Sequence, residues 1–101
     1  QHAVSHFFAA CPPDLQRWAI ARLRPQSAIA LASRPPLPRW PDVPMQAILT
    51  SDDAIIRAQP MAALFRRRLS RDPVLLPGDH SPFLCCPREL AHAIDTTITQ
   101  D

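Results

Sequence analysis

One glycine, Gly78, serves a chain of 101 residues that carries 13 prolines. Glycine enters positive φ without steric penalty, so such a chain has one ready place for a sharp turn of that kind. It falls in Leu76-Pro77-Gly78-Asp79-His80, where an apolar run ends two residues before a histidine. The expectation is a positive φ at Gly78 that turns the backbone at the mouth of a strand and aims His80 inward. The same scarcity excludes a G-x-S-x-G nucleophile elbow and a glycine-rich loop of oxyanion-binding amides. None of Ser5, Ser27, Ser33, Ser51, Ser70 and Ser81 lies in a strand-to-helix turn flanked by small residues.

Periodicity supplies the elements around that turn. Residues 4–10 (VSHFFAA) are apolar and read as helical. Cys11-Pro12-Pro13-Asp14 opens a helix over LQRWAIARLR, with Leu15, Trp18, Ala19 and Leu23 on one face and Pro25 as its stop. Pro35, Pro36, Pro38, Pro41 and Pro44 make residues 35–44 a stiff, extended connector. Met45 to Leu49 reads as a short buried strand, followed by the polar Thr50-Ser51-Asp52-Asp53. AQPMAALFRRRL (58–69) is an amphipathic helix with Met61, Leu64, Phe65 and Leu69 inward. Pro73 to Leu76 is a second strand. Pro87 to about Ile98 is a closing helix that buries Leu90, Ala91 and Ile94. Strands alternating with helices predict an α/β architecture with two short parallel strands and flanking helices.

In open parallel sheets, functional groups gather past the carboxyl ends of the strands. An aspartate, Asp52 or Asp53, stands at one such end and His80 at the next, and a crossover helix brings the two ends together. A carboxylate that accepts a hydrogen bond from one imidazole nitrogen fixes the tautomer and stabilises the cation formed at the other, which is what activation of a hydroxyl or thiol nucleophile requires.

Other features carry less. The formal charge is +2 and every basic residue is arginine; with these dispersed and no recognition motif, nucleic acid is the weakest partner. Arg66-Arg67-Arg68 reads as a solvated outer face near a helix C-terminus. His2 and His6 have helical i, i+4 spacing but no third ligand, and His92 reads as surface. Cys11, Cys85 and Cys86 form no C-x-x-C pair, and the adjacent two read as apolar filler, so a reduced, cytoplasmic setting is expected. No apolar run is long enough to span a bilayer and no signal peptide is visible, so no membrane partner is expected.

"VPMQAILTSDDAI" followed by "LPGDHSPFLCCPRELAHAI" resembles the C-terminal third of an α/β-hydrolase, nearest to small esterases of the plant salicylate-esterase and hydroxynitrile-lyase type. "FFAACPPDLQRWAIARLRPQS" is similar to the end of that subfamily's helical cap, so the resemblance runs from about Phe7 to Ile94. It implies residues 1–34 as the end of a cap-like region, 35–44 as connector and 45–101 as the C-terminal βαβα portion of a hydrolase core, incomplete on its own. It places the general base on His80 and, through the pattern T-x-D-x-A-I, the acid on Asp52, with Asp53 as alternate. Phe83 is then expected beneath the histidine loop, with Phe7, Phe8 and Trp18 toward an enclosed acyl pocket. The implied activity is cleavage of a small ester or amide by a serine hydrolase, or lyase chemistry by the same triad, with no cofactor or metal. The serine lies outside this chain, so the chain alone is expected to be inactive. Its partner is a missing N-terminal hydrolase segment, a second chain or another copy. A non-catalytic interaction or structural module is the main alternative, and an arginine-mediated nucleic-acid binder the second.

Overall fold

The computed structural model describes residues 2–99, in the order α1 (His2–Phe7), α2 (Pro13–Ile20), α3 (Ala28–Ala32), β1 (Ile48–Thr50), α4 (Ala58–Leu69), β2 (Val74–Leu76), α5 (Pro82–Cys85) and α6 (Pro87–Thr99). The architecture is mixed α/β. The two strands pair in parallel, Ile48 against Val74, Leu49 against Leu75 and Thr50 against Leu76. Parallel neighbours need a crossover, and α4 supplies it, packing on β1 while α6 packs on β2.

Local chemistry explains most boundaries. Pro13 stands at the start of α2, where its missing N–H would have had no helical partner, and Asp14 lies in the first turn against the dipole. Pro60 falls in the first turn of α4 for the same reason. That helix turns Met61, Leu64, Phe65 and Leu69 partly inward and closes on Ser70 in the left-handed region, whose N–H donates to the Arg66 carbonyl at 3.0 Å. Residues 33–44 contain no helix or strand, as their prolines require.

Several expectations shift. The first helix lies over His2–Phe7 rather than 4–10, and the second stops at Ile20, leaving Leu23 exposed. The first strand slides toward its polar end, taking in Thr50 and leaving Met45 to Ala47 outside. Two short helices, α3 and α5, carry no amphipathic signal long enough to be read. The buried face of α6 centres on Ala93, with Leu90 beside it, whereas Ala91 and Ile94 are exposed.

Among the described residues the buried hydrophobic side chains are Phe8, Cys11, Ala19, Leu49, Leu76 and Ala93. They fall in two places. Leu49 and Leu76 belong to the strands and Ala93 to α6, which packs on β2, while Phe8, Cys11 and Ala19 form a cluster with Phe7, Leu15, Leu84 and Cys85 packed against it. The second cluster fixes the N-terminal helices to α5, directly after His80. The radius of gyration is 15.3 Å, against about 13 Å for a self-contained domain of this length. Large apolar side chains such as Leu37, Trp40, Val43, Ile55 and Ile56 stay exposed.

Candidate functional site: an aspartate–histidine pair at the strand ends

The strand ladder continues beyond the strands themselves. Ser51 N–H donates to the Leu76 carbonyl and Asp52 N–H to the Gly78 carbonyl, each at 2.9 Å. These bonds zip the turn after β1 to the turn after β2. Gly78 has φ +135°, the positive value expected of it, and His80 follows as the chain folds back. A Cβ at Gly78 would lie 3.5 Å from Cys86 Sγ, an ordinary contact. The backbone angle, not crowding, is what calls for glycine here.

His80 faces Asp53. Its Nδ1 lies 2.9 Å from Asp53 Oδ2 and 3.1 Å from Oδ1. The preferred acid from the sequence, Asp52, is elsewhere: its carboxylate is exposed and accepts the Ser51 hydroxyl at 3.3 Å, while its amide is committed to Gly78. The one-residue offset has a local cause. Extending the ladder through the Asp52 amide leaves the following residue to turn in, so the alternate acid takes the inward position.

Asp53 is held firmly. Its Oδ1 also accepts the amides of Ile55 and Ile56, both at 2.8 Å, so the carboxylate closes its own turn. Burial alone would raise its pKa, but the Ile56 amide, the His80 imidazole and the Ile55 amide together outweigh it and hold the carboxyl below its ordinary value. An ionised carboxylate only accepts hydrogen bonds, so the proton between the two residues sits on His80 Nδ1. In the neutral imidazole Nε2 is then the basic nitrogen. The side chains are 10% exposed for Asp53 and 28% for His80: the acid is enclosed, and the imidazole keeps an accessible side.

Of the aromatic residues expected around His80, Phe7 alone has a ring contact with it, edge-on with centroids 5.4 Å apart. Phe8 is buried in the core cluster. Trp18 is half exposed, with the Arg22 guanidinium 4.2 Å over its ring. Phe83 is 66% exposed rather than packed beneath the loop. A depression of about 450 Å³ reaches Asp53 and is lined by it with Ser51, Arg57, Ala58, Gln59 and Pro60.

Two features were missed from sequence. Cys11 and Cys85, 74 residues apart, form a disulfide, which corrects the expectation of three reduced cysteines; Cys86 is the free one. Odd cysteine number and adjacent thiols concealed the pairing, because connectivity is a matter of three-dimensional proximity. The second is Asp79, 3% exposed, whose carboxylate accepts the amides of Ala10 at 2.7 Å and Ser81 at 2.9 Å. Its position beside His80 was visible, but its partner in the N-terminal segment was not.

Elsewhere, His2 and His6 are exposed on α1, His6 Nδ1 lying 2.7 Å from the His2 carbonyl oxygen. Arg66 pairs with Asp72 and Arg17 with Asp14 on the surface. Among the described residues no helix is long and apolar enough to cross a membrane. Compared with known proteins, the chain matches no family model, no curated protein and no solved structure.

Proposed function

We propose that this chain carries the acid and base of a serine-hydrolase site of the α/β-hydrolase kind, with Asp53 orienting His80. The observation that supports it is the 2.9 Å contact between His80 Nδ1 and Asp53 Oδ2 across two parallel strand ends. Asp53 holds the Nδ1–H tautomer, and Nε2 takes the proton of an attacking hydroxyl and later returns it to the leaving group. The hydroxyl belongs to a serine outside residues 1–101. The substrate class is a small, mostly apolar ester or amide; in the lyase alternative the same base would take the hydroxyl proton of an α-hydroxy nitrile, the C–CN bond would break as the carbonyl forms, and cyanide would leave with that proton.

The compartment is tied to the disulfide. In the cytoplasmic setting suggested by the sequence, the Cys11–Cys85 bond would face a reducing thiol pool; an oxidising compartment keeps it closed.

A serine-reactive fluorophosphonate probe, applied to the assembly captured through this chain, tests the reading. It should label one serine in a G-x-S-x-G context, and His80→Ala should abolish both labelling and p-nitrophenyl ester cleavage. Labelling that survives His80→Ala would refute the role of the imidazole.

A non-catalytic interaction module is the second reading, favoured by the extended radius and the apolar residues left exposed. There, Asp53→Asn changes stability or partner affinity and no assembly reacts with the probe.

A further inference from the structure

We propose that Asp79 is a positioning residue for His80: one carboxylate fixes the turn bearing the imidazole and docks the Phe7 segment against its ring. The proposal deepens the acid–base reading of Asp53 and His80 and rests on it.

The two oxygens of Asp79 do different things. Oδ1 accepts the Ser81 amide at 2.9 Å, so the residues on either side of His80 are tied to each other and the imidazole stands at the centre of a closed turn. Oδ2 accepts the Ala10 amide at 2.7 Å, from a segment 69 residues away. That second bond is one of three links between the same two stretches. The Cys11–Cys85 disulfide follows one residue beyond Ala10, and the Phe7 ring meets the His80 ring at 5.4 Å. Asp79 therefore holds both the backbone beneath His80 and the segment that brings the Phe7 ring beside it.

A carboxylate with so little exposure is expensive to bury unless its oxygens find donors. Charge-assisted bonds from two backbone amides meet that requirement. They also explain why the position holds an acid and not an amide. Asparagine offers one acceptor oxygen, and its NH2 would confront either the Ala10 or the Ser81 N–H. Asp79 touches no reacting atom in this reading; it acts through the orientation of His80.

The test is the imidazole spectrum of His80 in the 1–101 chain, read by ¹H and ¹⁵N NMR and assigned with His80→Gln. The parent chain should show the Nδ1–H tautomer, a downfield Nδ1 proton and ring-current shifts from Phe7. Asp79→Asn should lose the downfield proton and give a tautomer mixture while far-UV circular dichroism stays the same. Asp79→Ser places a hydroxyl within reach of the Ser81 amide but too short for Ala10. It should keep the Nδ1 proton and lose the Phe7 ring-current shift. A folded Asp79→Asn chain with an unchanged His80 spectrum overturns the proposal, as does an unchanged ring-current shift in Asp79→Ser should the asparagine variant not fold. Absence of the downfield proton in the parent would instead remove the Asp53–His80 pair itself, and the role of Asp79 with it.

Discussion

Cys11 and Cys85 are bonded across 74 residues of sequence, joining the segment before α2 to the helix that follows His80. A cross-link closing a loop of that length restricts the unfolded chain by about 4 kcal/mol in the chain-entropy account. Reduction should lower the unfolding free energy by roughly 2 to 4 kcal/mol, read as a drop in urea midpoint with dithiothreitol. Alkylation of denatured, unreduced protein should mark Cys86 and leave the other two cysteines unlabelled. Three labelled thiols would contradict the pairing.

The two aspartates of the acid turn separate by substitution. Asp53→Asn replaces one carboxylate oxygen by an NH2 and removes the charge that holds the His80 tautomer, and in the hydrolase assembly proposed above kcat should fall on the order of 10³ to 10⁴, the scale of a triad aspartate. Asp52→Asn alters an exposed carboxylate and should stay within a few-fold of the parent. Equal losses in both variants would show that the turn, not the pair, carries the effect.

Acid should weaken the fold through Asp53. Its folded pKa is depressed below the ordinary 3.8, so its contribution is present in full above that value and is lost as pH falls through the depressed one. Unfolding free energies measured from pH 6 down to pH 2 should decline over that lower range. Asp53→Asn should flatten this part of the profile; an unchanged slope would mean that another carboxyl governs it.

Much of this arrangement is legible in the sequence. The crossover helix over 58–69, the strand before Pro77 and the positive φ at Gly78 each follow from strong local signals: a 3.6-residue apolar period, a bounded apolar run and a lone glycine. What escaped was decided at a distance. Asp52 and Asp53 are chemically identical neighbours, and only the Asp52–Gly78 ladder bond decides which one turns inward. Trp18 and Phe83 are large and apolar, yet they are exposed because burial depends on what packs outside them. Nothing in the local sequence of Cys11 or Asp79 points to Cys85 or Ala10.

Gly78→Ala tests the turn. The added methyl meets Cys86 Sγ at an ordinary 3.5 Å, so sterics at the side chain cost little. The backbone at φ +135° is disfavoured for any residue with a Cβ. The expected loss is about 1 to 3 kcal/mol, measured by chemical denaturation, with a weakened His80–Asp53 bond as the accompanying sign. A neutral substitution would mean that the turn relaxes freely.

Cys86 should react slowly. Burial first, then the negative charges of Glu89 and Asp79, push its thiol above the ordinary 9.0, and its Sγ lies 3.8 Å from the Pro77 carbonyl oxygen. Iodoacetamide modification of the native protein should be sluggish at pH 8 and accelerate only above pH 9, against a free-cysteine peptide as reference. Rapid labelling at neutral pH would indicate a thiol far more open than this.

The crossover between β1 and β2 has a bearing on how the molecule forms. Side-by-side strands running in one direction need a crossover between them, and non-local pairing of this sort is slow to nucleate. The Asp53–His80 contact is thus expected to form with, and not before, the pairing of β1 and β2. A probe on that imidazole would therefore report strand pairing as well as the site.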